Sequence, residues 1–143
     1  MSGREFDALR LENQLCFPLY ACSRQIIKMY TPYLSPLGLT YTQYITLMVL
    51  WEDRAVSVRE LGKRLYLDSG TLTPVLKTLE SKGLINRYRD SGDERVLIAE
   101  ITPEGMELRE KAAEIPMKAG GCVNIGAEDA AELYRILYKI LGK

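Results

Sequence analysis

The sequence contains no histidine and only three cysteines among its 143 residues. Without histidine, Ser-His and Cys-His catalysis and every histidine-ligated metal site are excluded, and three scattered cysteines argue against a structural zinc site. Because the cysteine number is small and odd, we expect reduced thiols rather than a disulfide scaffold. No glycine-rich phosphate-binding motif is present, so we expect neither nucleotide chemistry nor a bound cofactor.

The chain also lacks a long apolar run and an excess of either charge. No segment approaches the roughly 18 apolar residues of a membrane span, and the first ten residues are not a secretory signal, so we expect a cytoplasmic protein. Basic and acidic residues number 19 each, but their distribution is uneven. Residues 54–96 contain nine basic and six acidic residues, and this local positive excess suits binding to nucleic-acid phosphates.

Hydrophobic periodicity predicts a long first helix and a largely buried second one. Residues 7–34 are expected to form one helix that is interrupted or kinked at Pro18, because proline cannot donate to the carbonyl of Gln14. Residues 35–39 form a loop. Thr and Gln at residues 40–43 form a capping box, which predicts that the second helix begins there.

The next segment changes from helical to strand periodicity. A capping box at residues 57–60 begins a third helix. A fourth helix is expected to begin between residues 68 and 71 and to end at Gly83, a residue suited to the position just past a helix. Residues 84–89 and 95–102, separated by a polar turn of about five residues, then predict a β-hairpin.

The C-terminal part of the sequence is again helical. Thr102 and Pro103 predict a helix start, Pro116 is expected to kink that helix, and residues 128–141 form a last amphipathic helix. Two short helices followed by a hairpin indicate a mainly α fold with a small β-hairpin wing, the winged helix-turn-helix. The predicted single domain (residues 1–143) consists of a winged helix-turn-helix at 41–102 and a dimerisation layer of N- and C-terminal helices at 1–40 and 103–143.

The predicted fourth helix has one apolar face and one small polar face. Leu72, Val75, Leu76 and Leu79 recur at helical spacing and are expected to face the core. The opposite face carries hydroxyl groups and Lys77, which can reach base edges and phosphates in a major groove. An ordinary solvated helix face would show the same pattern. The candidate DNA contacts on this helix are Ser69, Thr71, Thr73, Pro74 and Lys77.

The hairpin supplies three further candidate DNA contacts, Arg87, Asp93 and Arg95. Asp93 is expected to orient Arg95 through a carboxylate–guanidinium pair, so that the guanidinium is available to a minor groove or a phosphate. An ordinary surface ion pair is the alternative for these two residues.

Cys16 and Tyr30 lie within about 40° of the same face of the predicted first helix but about 21 Å apart along its axis. They cannot meet within one chain, but antiparallel pairing of two such helices across a two-fold axis would bring them together. A phenol can donate a hydrogen bond to a thiolate and favour the charged form. The alternative is that both are core residues. Cys22 is expected to be a packing residue, and Cys122, which follows two glycines, is the better candidate for a second redox thiol.

Several motifs together resemble the organic hydroperoxide resistance repressors (OhrR type), a branch of the multiple-antibiotic-resistance regulator (MarR) superfamily. The most specific are LENQLC and LYLDSGTLTP; YTQY, KGLINR and DERVLIAEIT add to them. The resemblance implies a homodimeric repressor that binds an inverted-repeat operator in double-stranded DNA. It also implies that Cys16 senses peroxide, that Tyr30 and Tyr41 are its partners, and that either Cys122 of the other subunit or a small cellular thiol resolves the oxidised sulfur.

Two other functions are compatible with the sequence. In the first, a repressor of the same fold responds to a small aromatic ligand between its domains, and Cys16 only packs. In the second, the chain is a thiol peroxidase; we disfavour this enzyme because no basic cluster or helix N-terminus is predicted at Cys16. The leading prediction is therefore a DNA-binding repressor, not an enzyme, that responds to organic hydroperoxides. One departure from the family pattern is Pro18, whose predicted kink bears on the exposure of the thiol.

Overall fold

The computed structural model describes residues 3–121 and 123–143. Short 3-10 helices cover Gly3–Leu9, Leu11–Asn13 and Ser35–Leu37. The α-helices are α1 (Cys16–Leu34), α2 (Tyr41–Asp53), α3 (Val58–Leu65), α4 (Ser69–Ser81), α5 (Pro103–Ala112), α6 (Ile115–Gly120) and α7 (Ala127–Ile140). The strands are β1 (Ala55–Ser57), β2 (Ile85–Arg89) and β3 (Leu97–Ile101). The mainly helical, winged helix-turn-helix fold predicted from the sequence is confirmed.

The N-terminal helix is shorter than predicted. It begins at Cys16, so the prediction of one helix from residue 7 with a kink at Pro18 is wrong. Pro18 lies in the first turn of α1, where amide groups have no helical partner and a proline removes no bond. Upstream, the side-chain amide of Gln14 donates to the carbonyls of Ala8 and Arg10. Such side-chain bonds compete with helix formation.

The helix ends of the winged unit agree with the sequence signals. Thr40 and Gln43 form the predicted reciprocal capping box, and the Ser57 hydroxyl accepts the amide of Glu60 at 3.1 Å. Gly83 follows α4 with a φ of 75° and donates to the carbonyl of Glu80. The glycine is required there because a left-handed conformation is strained for residues with a side chain.

The sheet contains one strand that the sequence did not reveal. Its order is β1-β3-β2, with both pairs antiparallel. β1 has only three residues, too few for an alternating pattern to be recognised, and the register pairs Val56 with Ala99. The hairpin loop spans residues 90–96 and is longer than the predicted five, because Arg95 and Val96 stay outside the ladder.

The core lies between α2, α3, α4 and the sheet. Its least exposed large side chains are Leu34, Leu47, Leu50, Leu61, Leu72, Leu76, Leu79 and Ile85, each at 2% exposure or less. Burying a side chain of this kind contributes about 1.5–3 kcal/mol. The predicted inward face of α4 is therefore confirmed at Leu72, Leu76 and Leu79, while Val75 is half-buried at the edge of the core.

The C-terminal region consists of three separate helices. Thr102 caps α5 through the amide of Gly105, with Pro103 at the first helical position as predicted. The predicted kink at Pro116 is instead a break, because a new helix, α6, begins at Ile115 and holds this proline in its first turn. The last helix, α7, has Glu128 and Asp129 in its first turn and no buried residue in the single chain.

Candidate functional site

Cys16 is the first residue of α1, and its side chain is exposed. The thiol peroxidase was disfavoured partly because no helix N-terminus was predicted at Cys16. That prediction is wrong. Negatively charged groups are stabilised near the first turn of a helix, where amide groups lack partners. The adjacent apolar side chains are also uncovered in the single chain, with Leu15 at 86% and Phe17 at 41% exposure.

Tyr30, Tyr41 and Tyr44 form an aromatic cluster where α1 packs against α2. The ring centroids of Tyr30 and Tyr41 are 5.1 Å apart in an edge-to-face arrangement, and the Tyr44 ring lies 5.9 Å from Tyr30. Burial, followed by the nearby Tyr30, raises the pKa of Tyr41, and the same causes raise the pKa of Tyr44. Both phenols therefore stay protonated at neutral pH and can donate hydrogen bonds. Tyr44 was not predicted, although its spacing of three residues from Tyr41 places both on one helix face.

The thiol and the tyrosines do not meet within one chain. Tyr30 follows Cys16 by fourteen positions in the continuous helix α1, a separation of about 21 Å at about 1.5 Å per residue. The structure thus brings together Tyr30 and Tyr41 but leaves Cys16 at the opposite end of the helix. Cys22 is exposed in the single chain, so any packing contact that it makes lies outside the single chain. Cys122 lies outside the described residues.

A small apolar cleft borders this aromatic cluster. It has a volume of about 170 Å³ and is lined by Tyr44, Met48, Trp51, Arg109, Ala112, Ala113 and Pro116. Pockets that hold small-molecule ligands usually measure about 300–1,000 Å³. This cleft is smaller than that range, so it gives little support to an aromatic-ligand site at this position.

The outer face of α4 is the first part of the candidate DNA surface. The carboxylate of Asp68 accepts the amide of Thr71 at 2.8 Å, and hydrogen bonds from Thr71 lower the pKa of Asp68. Asp68 thus fixes the start of the helix. Of the predicted contacts on α4, Ser69, Thr71, Pro74 and Lys77 are exposed, and Thr73 is half-buried. α4 begins early enough that Pro74 lies inside it, where a proline removes one helical bond.

Arg87 has a structural role that the sequence did not predict. Its guanidinium donates to both carboxylate oxygens of Glu80, at 3.1 and 3.4 Å, and its backbone amide donates to the same carboxylate at 3.2 Å. These bonds lower the pKa of Glu80 and tie β2 to α4. Arg87 therefore positions the strand, and its role as a DNA contact stays a prediction.

The tip of the wing holds Arg95 as predicted. Two guanidinium nitrogens of Arg95 donate to the two carboxylate oxygens of Asp93 at 3.0 and 3.1 Å. The pairing lowers the pKa of Asp93. Asp90 accepts the amides of Gly92 and Asp93 and so shapes the loop. The Arg95 side chain is 91% exposed, so it is oriented by Asp93 while it remains accessible.

Further basic residues lie on α3 and α4. Arg59, Lys63 and Lys77 have no carboxylate within ion-pair distance in the part of the chain that the structure describes. Exposed and unpaired cations of this kind are available to phosphates. Among residues 3–121 and 123–143, no cluster of three or more metal-ligating side chains is found, and no helix is long and apolar enough to cross a bilayer.

The helix-turn-helix, the polar outer face of α4 and the wing with its exposed Arg95 are the features of a winged-helix DNA-binding regulator. Residues 28–112 match the family model "Transcriptional regulator SarA/Rot". The chain is 47% identical over 137 residues to the organic hydroperoxide resistance transcriptional regulator of Bacillus subtilis (strain 168), covering 96% of this chain and 93% of that one. It is 42% identical over 133 residues to the HTH-type transcriptional regulator SarZ of Staphylococcus aureus (strain USA300), covering 93% and 90%.

Comparison with solved structures also finds DNA-binding proteins. The structure of reduced AbfR bound to DNA is 33% identical and superposes with a TM-score of 0.79, covering 99% of this chain and 98% of that one. Structures of overoxidised AbfR bound to DNA and of disulfide-formed AbfR are also similar, with TM-scores of 0.74 and 0.66. The chain therefore belongs to the organic hydroperoxide resistance branch of the MarR family of winged helix-turn-helix transcriptional regulators. The prediction of a regulator rather than an enzyme is confirmed.

Proposed function

We propose that this protein is a cytoplasmic, homodimeric repressor that releases its operator when organic hydroperoxide oxidises Cys16. The observation that carries the proposal is the geometry of α1, which exposes Cys16 at one end and holds the Tyr30–Tyr41 pair at the other. The name of the Bacillus subtilis relative supports the choice of oxidant. The reduced, overoxidised and disulfide forms of AbfR support a redox mechanism for the family.

The homodimer is inferred from uncovered apolar surface on the N- and C-terminal helices. α7 has fourteen residues and buries none of them in the single chain. Continuous apolar patches on a soluble chain mark interaction surfaces. In our proposal, residues 1–40 and 103–143 form the dimer layer and residues 41–102 the winged unit of one domain. The exposed apolar side chains in the layer include Phe6, Leu9, Leu11, Leu15, Phe17, Leu19, Tyr20, Ile27, Ile125, Leu133, Tyr134, Ile136, Ile140 and Leu141.

The dimer would complete the redox site. In a two-fold arrangement each contact occurs twice, so antiparallel α1 helices place Cys16 of one chain near Tyr30 and Tyr41 of the other. Burial raises the pKa of Tyr41, so its phenol stays protonated and can donate a hydrogen bond to the thiolate. Sedimentation should show a dimer at micromolar concentration. A monomer under these conditions would contradict both the dimer and the intersubunit site.

The proposed reaction is a two-electron oxidation of sulfur. The Cys16 thiolate attacks the outer oxygen of the hydroperoxide, an S–O bond forms, the O–O bond breaks, and the organic oxygen leaves as an alcohol after taking a proton. The resulting sulfenic acid condenses with a second thiol to give a disulfide and water. That thiol is either Cys122 of the other subunit or a small cellular thiol.

The redox test uses two cysteine variants. Hydroperoxide in the presence of a small thiol should abolish DNA binding by the wild type and by Cys22→Ser, while Cys16→Ser should stay bound, because only Cys16 is the sensor. Release of DNA by oxidised Cys16→Ser would overturn the assignment.

The resolving thiol is identified by non-reducing electrophoresis after treatment with hydroperoxide and no added thiol. A covalent dimer that disappears in Cys122→Ser and persists in Cys22→Ser assigns the resolving role to Cys122. If no covalent dimer forms, and DNA release requires a small thiol, the sulfenic acid is resolved by that small thiol.

The DNA surface is proposed to consist of Ser69, Thr71, Thr73, Pro74 and Lys77 of α4, with Arg95 of the wing held by Asp93. Two such units in a two-fold dimer read half-sites about one helical turn apart. Lys77→Ala and Arg95→Ala should each weaken operator binding, measured by fluorescence anisotropy on reduced protein. Unchanged affinity in both variants would show that this surface does not contact DNA.

A further inference from the structure

Tyr66 lies in the turn between α3 and α4 with an unusual backbone conformation. Its φ of 56° and ψ of 37° are left-handed, and its amide closes the end of α3 on the carbonyl of Gly62. Such a conformation is unfavourable for a bulky residue and is normally supplied by glycine or asparagine. The turn therefore does not explain a tyrosine here. Its ring is 52% exposed, so core packing does not explain it either.

Tyr66 borders two clefts whose lining is mixed, with the apolar side chains of Val58, Leu67 and Leu72, the carboxylates of Glu60 and Asp68, and several cations. One open cleft beside the ring is lined by Arg59 and Lys63 of α3 and extends to Ser69, the first residue of α4. Neither cation has a carboxylate partner among the described residues. The nearby carboxylate of Asp68 is occupied by the amide of Thr71. An exposed tyrosine that shares a cleft with two unpaired cations, next to the start of α4, suits a phosphate group.

The turn that carries Tyr66 is closely packed. A Cβ atom on Gly62 would lie 2.9 Å from the carbonyl oxygen of Leu67. Since α3 and the turn are in such close contact, the backbone of residue 66 has little freedom to move. The ring is therefore presented from a fixed position relative to α4.

We infer that the Tyr66 hydroxyl donates a hydrogen bond to a DNA backbone phosphate that Arg59 and Lys63 flank, beside the groove that α4 enters. The inference rests on the proposed DNA-binding function and adds a contact to it. A phosphate contact fixes the position of the protein on the duplex and carries no sequence information. The backbone strain is retained because glycine or asparagine, which would relieve it, cannot place a phenol at this point.

The first variant is Tyr66→Phe, which keeps the ring and the backbone and removes only the hydroxyl. DNA affinity should fall about tenfold for both a selected operator and a mixed-sequence duplex. The slope of log K against log salt should not change, because a phenol releases no counterion. Lys63→Ala is the matched comparison, and it should reduce the slope by about 0.9 per lost phosphate contact. Wild-type affinity in Tyr66→Phe would overturn the inference.

The second variant, Tyr66→Asn, separates DNA contact from a structural role. Asparagine tolerates the left-handed conformation, so the melting temperature should stay level or rise by about 3 °C. DNA affinity should nevertheless fall at least as far as in Tyr66→Phe. A lower melting temperature with unchanged DNA affinity would show instead that the ring stabilises the fold and does not contact DNA.

Lys77→Ala and Arg95→Ala, measured alongside, distinguish failure of this inference from failure of the proposed function. If they weaken DNA binding while both Tyr66 variants bind normally, only the Tyr66 contact is wrong. If all four variants bind normally, the DNA surface itself is wrong.

Discussion

Gly105 of α5 packs closely on the winged unit, and its substitution should be costly. A Cβ atom at this position would overlap the carbonyl oxygen of Leu84 and lie 2.8 Å from Cδ1 of Ile101. The Leu84 oxygen is itself held by the amide of Thr102 at 3.0 Å, so it cannot move aside without loss of that bond. The carbonyl oxygen of Gly105 also accepts the indole N–H of Trp51 at 2.8 Å.

The cost of Gly105→Ala can be worked out from these contacts. The first turn of α5 must move by roughly 1 Å to restore an ordinary contact distance. Overpacking of this kind costs about 1–3 kcal/mol, loss of the Trp51 bond about 0.5–1.5 kcal/mol, and loss of the Thr102 cap about 0.5–2 kcal/mol. The expected destabilisation is about 2–6 kcal/mol, a large part of the roughly 5–15 kcal/mol available to a domain.

Gly120→Ala is the matched control. Gly120 ends α6, and a methyl group added there would meet no atom of the described residues within 4 Å beyond its chain neighbours and its own helix backbone. Alanine should therefore be neutral or stabilise the protein by up to about 1 kcal/mol. Urea unfolding at equal protein concentration measures both variants, and the midpoint of Gly105→Ala should fall by about 1–3 M. A Gly105→Ala midpoint equal to that of the wild type would refute the assigned contact.

Three further outcomes are expected. Arg87 lowers the pKa of Glu80 in the folded state. The pair therefore stabilises the protein above the unfolded-state pKa of Glu80 and loses that contribution as the pH falls through the folded-state pKa. Urea unfolding at a series of acid pH values should show that Glu80→Gln lacks this loss of stability. Lys77→Ala should weaken binding to all duplexes and flatten the salt dependence, measured by salt titration. Tyr41→Phe should slow the oxidation of Cys16, followed by mass spectrometry, and leave the DNA affinity of reduced protein unchanged.

The sequence predicted the parts of the fold that local chemistry determines. Thr40 with Gln43, and Gly83 after α4, mark their boundaries because each satisfies backbone groups within a few residues. β1 was missed because its three residues are a strand only through pairing with β3, more than forty positions later in the chain. The start of α1 was missed for a related reason, since its periodicity continues upstream while side-chain amides such as that of Gln14 occupy the carbonyls.

In the candidate site, too, the sequence predicted the local contacts and missed those that depend on tertiary packing. The Asp93–Arg95 pair was predictable because its members are two residues apart and oppositely charged. The bond between Arg87 and Glu80 was not, because it joins a strand to a helix and depends on the tertiary packing of β2. Cys16 was found through its motif, but its place at a helix N-terminus followed only once the true start of α1 was known.

The aromatic residues of α2 connect the two functional regions of the molecule. Tyr41 contacts Tyr30 at the end of α1, and Tyr44 lies 6.3 Å, centroid to centroid, from Trp51 further along the same helix. Trp51 in turn donates to Gly105, which packs directly on the base of the wing. Because α2 is continuous between these contacts, we expect a displacement of α2 at Tyr41 to reach the junction at Gly105. The proposed redox partner and the wing are therefore joined by one helix and not by a flexible loop.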